Sequence, residues 1–275
     1  MTLSPVLRAA GATQQQTWPP VVAVVSGKGG VGKTVLSVNL SIQLARAGYV
    51  PLLVDLDPGL ANADVHLRLA PRATLKDVLE GRARARDCVV QGPGGMRFLP
   101  GGCGAAEMAS LGLERSQWLW TEIRQAFAGS GIVILDTGAG IGPGPMAAAA
   151  RADHVIVVTT PEPPAVTDAY ALFKLLLQGG LGGRTSLVIN EVASATEAMQ
   201  TAGKLRTVAS RFLGGEMPEL LGWLSTDGTV PESVRRQKPF LLCPESRVHG
   251  ELRALAAALL ARFPEVRRVV GSPAS

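Results

Sequence analysis

The sequence is poor in the residues that build most metal and redox centres. Its 275 residues include three cysteines, three histidines and only 4% aromatics. Cys88, Cys103 and Cys243 share no metal-ligand spacing, nor do His66, His154 and His249, so a zinc or thiolate centre is not expected. The start does not read as a secretory leader, so the cysteines are expected to be reduced thiols of a cytoplasmic protein. No apolar run approaches the ~20 residues that cross a bilayer, so any membrane contact is expected to be peripheral. A dominant charge of one sign is also missing. The net +5 comes mostly from arginines scattered over 82–86, 235–236 and 267–268, the pattern of a solvated surface more than of a nucleic-acid face. What the chain does have is 47% hydrophobic content, enough for one large α/β core.

That core is organised around VVAVVSGKGGVGKTVLSVNL, residues 21–40. The β-branched run at Val21, Val22, Val24 and Val25 predicts a buried strand. Leu36, Leu40 and Leu44, one turn apart and followed by Gly48, predict a helix. Between them Gly27, Gly29, Gly30 and Gly32 keep side chains away, so the backbone N–H groups of the loop, Val31 included, and the helix N-terminus can face an anionic oxygen. Lys33 can reach β- and γ-phosphates, and the Thr34 hydroxyl can complete a Mg²⁺ shell. A Gly-rich turn that binds nothing is the alternative. Four glycines, two lysines and a hydroxyl in this register arise by chance less than about once per million positions.

Further along, 51–54 reads as a buried strand ending at Asp55 and Asp57, carboxylates placed where an open parallel sheet has its ligand crevice. A short helix follows from Thr74 to a stop at Gly81. Residues 82–95 read as a polar excursion, 96–100 as a strand and 116–128 as a helix. Strand 132–135 delivers Asp136 into TGAGIG, the setting of an acid that holds Mg²⁺ through water beside a mobile loop. Strand 155–158 runs into prolines that stop it, with a helix starting at Thr167 and Asp168. Strand 187–189 ends at Asn190, helix 196–213 leads to strand 220–224, and Asp227 lies just beyond. The closing helix, 247–262, carries Val248, Leu252, Leu255, Leu259 and Phe263 on one stripe. Strands alternating with helices predict one doubly wound, mostly parallel sheet with helices on both faces. The expected division is a flexible arm at 1–19, a phosphate-loop domain at 20–263 and a tail at 264–275.

The second lysine of the loop, Lys28, makes KGGVGKT resemble the deviant Walker A ATPases of the MinD/ParA family. The strings DPGLANADV, PGGCG, DTGAGI and PEPPAVTDAY are similar to its FlhG branch (also called FleN or YlxH), regulators of flagellar number and placement. The resemblance covers about residues 20–260. It implies an ATP- and Mg²⁺-dependent homodimer that acts as a slow ATPase switch, with Lys28 crossing to the partner's nucleotide. It further implies that Asp57 orients the attacking water, Asp136 is the Walker B acid, Asp55 lies beside the phosphates, Asn190 reads adenine and Asp227 sits in the loop closing over the base. Where the family has proline before that last acid, this chain reads LSTD. A signal-recognition-type GTPase similar to FlhF is the implied partner of the N-terminal arm. Leu7 and Arg8 match the end of the DQAxxLR pattern there, but Thr2, Leu3 and Ser4 replace its start and Pro5 interrupts it. That predicts a leader or weakened docking peptide with little stimulating power. Docking of the C-terminal stripe on the core is expected over lipid binding to an anionic membrane. ParA-like DNA partitioning, MinD-like division-site placement and a metabolic ATPase are the alternative functions.

Overall fold

A computed structural model describes residues 18–57, 63–102, 113–213 and 218–268. Among these, eight strands form a single sheet in the order β3-β4-β2-β5-β1-β6-β7-β8. They are β1 Val21–Val25, β2 Pro51–Leu56, β3 Val90–Gln91, β4 Arg97–Leu99, β5 Ile132–Thr137, β6 His154–Thr159, β7 Thr185–Val192 and β8 Glu219–Ser225. Every pairing is parallel except that of β3 with β4. The central strands are uniformly buried because helices cover both faces, so their sequences are continuous apolar runs with no alternation.

Alternate residues of each strand feed two cores. Val21, Ala23 and Val25 join Val54, Leu135 and Val157 on one face; Val22 and Val24 join Leu53, Ile134 and Ile156 on the other. The second face is closed by α1 (Lys33–Arg46) and by the last helix, α9 (Arg247–Leu260). Leu36, Leu40 and Leu44 of α1 and the entire stripe Val248, Leu252, Leu255, Leu259 and Phe263 are buried there. The C-terminal stripe is therefore spent on the core, as expected. The first face is covered by α4 (Leu113–Gln125), α5 (Pro143–Arg151), α6 (Pro163–Gln178) and α7 (Ala195–Leu213). Two short helices, α2 (Ala63–Leu67) and α3 (Leu75–Leu79), follow β2. Thr74 starts α3 with a reciprocal cap: its hydroxyl accepts the Lys76 N–H at 3.2 Å, and Asp77 accepts the Thr74 N–H at 2.9 Å. No helix among the described residues is long and apolar enough to cross a membrane.

Four departures from the sequence reading have local causes. The prolines at 163–164 do not delay α6 to Thr167: Pro163 is its first residue, where a missing N–H costs nothing. The excursion at 82–95 contains the antiparallel strand β3 and two short 3₁₀ turns, Ala85–Cys88 and Pro93–Gly95. Helix α5 was not anticipated, since PGPMAAAAR has too few large apolar residues to set a period. Nor was α8 (Thr229–Arg235), which carries a proline in its first turn. The N-terminal arm with Leu7 and Arg8, the DPGLAN segment past Asp57, Cys103 and the end of the tail lie outside the described residues.

Candidate nucleotide site

Strand β1 occupies the middle of the sheet, and the loop from Ser26 to Gly32 leaves its carboxyl end to start α1. Two glycines of this loop are sterically required. A Cβ on Gly27 would stand 2.2 Å from the Asp168 carbonyl oxygen of α6. Gly32 has φ of +88° and leaves room for Asn190, whose Nδ2 would be 2.3 Å from an added Cβ. Asn190 in turn donates to the Val31 carbonyl at 3.0 Å. The end of β7 is thereby tied to the loop, an attachment that no local sequence feature announces.

Lys33, at the first position of α1, is 7% exposed. Burial lowers its pKa, while Asp136 and Asp57 oppose that shift by favouring the cation. Below it, β2 and β5 run side by side in a register that pairs Asp55 with Asp136. Both carboxylates are buried, and one oxygen of each, Oδ2, has no hydrogen-bond partner. Burial, with Asp136 beside it, raises Asp55 to about 8. Burial raises Asp136 to about 6 against the pull of Thr34, Ser37 and Lys33. The other oxygen of Asp136 accepts from Ser37 Oγ at 2.9 Å, and that of Asp55 accepts the Asp57 N–H at 3.0 Å. Two neighbouring carboxyl groups with orphaned oxygens, adjacent to a threonine hydroxyl at a helix start, form an oxygen donor set that suits a hard divalent cation keeping several waters. Sequence reasoning placed Thr34, Asp55, Asp57 and Asp136 at strand and helix ends; the structure brings them to one point.

Lys28 takes no part in this cluster. It is partly exposed and its Nζ lies 3.1 Å from Glu162 Oε2, at the start of α6.

Beside the loop opens a cavity of about 640 Å³, bounded by Gly30, Gly32, Asn190, Asp227, Val230 and Phe240. Asp227 Oδ1 accepts from the Thr229 N–H at 2.8 Å and from its hydroxyl at 2.7 Å, which holds the entry to α8 and lowers the Asp227 pKa. A residue absent from the sequence reading organises this end. Glu251 of α9 accepts the Ser225 N–H at 2.7 Å and its hydroxyl at 2.5 Å, pinning the end of β8 where the cavity wall begins. A lone glutamate on a polar helix face, 26 residues from its partner, carries no signal in sequence.

Continuous with one another, the phosphate loop, the carboxylate pair and the cavity can hold a triphosphate, a divalent cation and a base. The chain matches the CobQ/CobB/MinD/ParA nucleotide binding domain over residues 22–240. It is 37% identical over 237 residues to the antiactivator FleN of Pseudomonas aeruginosa, covering 86% of this chain and 84% of that one. To the flagellum site-determining protein YlxH of Helicobacter pylori it is 30% identical over 217 residues, 79% and 73% of the two chains. Its fold superposes on that of the septum site-determining protein MinD of Pyrococcus horikoshii, solved with Mg-ADP, with a TM-score of 0.73 at 23% identity over 91% of this chain and all of that one. The chain belongs to the MinD/ParA family of P-loop ATPases, with FleN and YlxH among its relatives.

Proposed function

We propose that this protein is an ATP-driven dimerisation switch that regulates the number or placement of flagella. The observation that carries the nucleotide reading is the buried Asp55–Asp136 pair with an orphaned oxygen on each, next to Thr34 and Lys33. The flagellar reading is supported by the likeness to FleN and YlxH.

In this reading the loop amides at 27–34 and Lys33 hold the phosphates. Thr34 and Asp136 would hold Mg²⁺, with Asp55 as a further donor, and the ion would neutralise phosphate charge. Asp57, leaving β2 beside Asp55, aligns the water that attacks the γ-phosphate. Such a reaction depends on positioning and charge neutralisation more than on covalent chemistry from the protein. Lys28 is engaged by Glu162 outside its own cation cluster, which suits a lysine that serves a second copy. Asn190 and Asp227 border the base.

Two variants test the switch. Asp57→Ala is expected to bind ATP, hydrolyse it slowly and accumulate a dimer in size-exclusion chromatography with ATP and Mg²⁺; a strictly monomeric Asp57→Ala would sink the switch. Lys28→Ala should lose hydrolysis while monomer affinity stays near that of the parent. For the cellular role, deletion in the native cell should change flagellar number or position, and the Lys33→Ala chain should not restore it.

A further inference from the structure

The end of the sheet farthest from the phosphate loop carries a second cavity of about 640 Å³. Its floor is the start of β1 at Val21, and its walls come from Trp18, α4 and the end of α5. The chain has only four tryptophans, and two of them, Trp18 and Trp120, stand here. Trp18 meets Phe127 edge-on, with centroids 6.4 Å apart. Arg124 lies over the Trp18 ring at 4.8 Å and Arg151 over the Trp120 ring at 4.7 Å. Arg151 also donates through Nη1 to the Ala147 carbonyl at 3.1 Å, which fixes that guanidinium and leaves its remaining N–H groups, with those of Arg124, for a planar anion.

Arg124 and Arg151 are the two cations of this cavity. Neither forms an ion pair among the described residues. Among the described residues one carboxylate lines the cavity, Asp153, and its Oδ2 accepts the Val21 N–H at 2.8 Å, so one negative charge stands against the two arginines. We propose that this cavity is a docking site for an acidic peptide segment of a partner protein. One or two carboxylates would pair with Arg124 and Arg151 while a neighbouring aromatic or aliphatic side chain fills the space between Trp18 and Trp120.

Charge complementarity selects this occupant. The chain's own leader, residues 1–17, contains arginine but no aspartate or glutamate, and residues 269–275 have no acidic side chain either. A lipid surface is met best by an array of basic groups on a convex face, whereas here two fixed guanidinium groups sit in an aromatic hollow. Tryptophan and arginine are also the side chains most enriched among the residues that dominate protein–protein affinity. The proposal does not depend on the nucleotide reading, because the cavity and the phosphate loop lie at opposite ends of β1.

Selection of a random dodecapeptide library on the full chain tests it, with the Arg124→Gln/Arg151→Gln double variant as the comparison. Both arginines are exposed, so the variant should keep the parent's melting temperature. The expected result is enrichment of peptides with aspartate or glutamate next to an aromatic or aliphatic residue. The enriched peptide should bind the double variant at least about tenfold more weakly, in keeping with the loss of two charge-assisted hydrogen bonds. Trp18→Ala should weaken it as well. Absence of a consensus, a consensus without carboxylates, or equal binding to the double variant would overturn the proposal. Sedimentation of the parent, but not the double variant, with phosphatidylglycerol vesicles in the absence of peptide enrichment would assign the cavity to lipid headgroups and equally overturn it.

Discussion

The two ends of the candidate nucleotide cleft, the loop end proposed for the phosphates and the cavity end proposed for the base, are built on opposite principles. At the phosphate end, polar groups are buried with their partners missing: Asp55 and Asp136 each keep an orphaned oxygen, and burial drives both pKa values up. At the base end, polar groups are already satisfied: Asn190 donates to Val31, Asp227 accepts from Thr229, and Ser225 is held twice by Glu251. The first arrangement is costly until charge arrives, so its affinity is for charge. The second presents a braced wall whose selectivity comes from shape. Losses at the phosphate end should therefore affect any polyphosphate, and losses at the base end only ligands that carry a base.

The largest expected effect is at Lys33. Lys33→Ala should abolish measurable binding of ATP, ADP and tripolyphosphate alike in titration calorimetry, since all three depend on the same buried cation. Retention of ADP binding would mean that the base end carries the affinity and would reverse the comparison.

Next in size is the cost of the uncompensated carboxylates. Asp55 is held up at about 8 by burial and by Asp136. In EDTA, the unfolded chain gives up this proton near pH 4, while the folded chain keeps it until about 8. The folded state thus binds more protons across that window. Stability should fall as pH rises through it, by up to about 1.4 kcal/mol per pH unit for one such proton. Asp55→Asn should remove much of that slope and raise metal-free stability at pH 8, while reducing the stabilisation that Mg²⁺ and ATP supply together. Chemical denaturation across pH checks both; a metal-free stability that rises from pH 5 to 8 in the parent, relative to Asp55→Asn, would count against the buried pair.

The contrast also sets how much of the molecule the sequence discloses. The phosphate loop is legible because its eight residues are contiguous and each answers a local demand: glycines for close approach, Lys33 and Thr34 at a helix start. Asp55, Asp57 and Asp136 are legible as strand-end acids. That Asp55 and Asp136 are neighbours is not, because it follows from β5 inserting between β2 and β1, a choice made by packing. The base end is less legible still. Glu251 and Ser225 are joined only when α9 packs on β8, and the short helix α8 is too brief to show a period. Prolines misled for a physical reason: the residue that ends a strand is equally suited to the first turn of α6.

Glu251 tests the base end by itself. Glu251→Ala frees the Ser225 N–H and hydroxyl and loosens the strand end that carries the cavity wall. ATP and ADP should each bind about tenfold more weakly, the scale of one lost charge-assisted pair of hydrogen bonds, while tripolyphosphate binding is unchanged. Glu251→Gln, which still offers an acceptor, should recover part of the loss. Equal weakening of tripolyphosphate would show that the substitution damages the fold as a whole.

The smallest effect separates two roles for Asp227. Resemblance to the family places this acid in the loop over the base, but its Oδ1 is occupied by Thr229, so it acts first as the acceptor that starts α8. Asp227→Ala should cost about 1 kcal/mol of stability, the usual worth of such an acceptor at a helix start. It should change the ratio of ATP to GTP affinity by less than about threefold, a difference below ~0.7 kcal/mol. Asp227→Asn, which can accept the same N–H, should restore most of the stability. Because hydrogen bonds from Thr229 hold the pKa of Asp227 below the ordinary carboxylate range, its stabilisation is complete above about pH 4. It disappears only as pH falls through that lowered value, opposite in sign to Asp55. A large drop in ATP-over-GTP selectivity with stability intact would make Asp227 a reader of the base, and the base end would then resemble the phosphate end in recognising its ligand through a charged side chain.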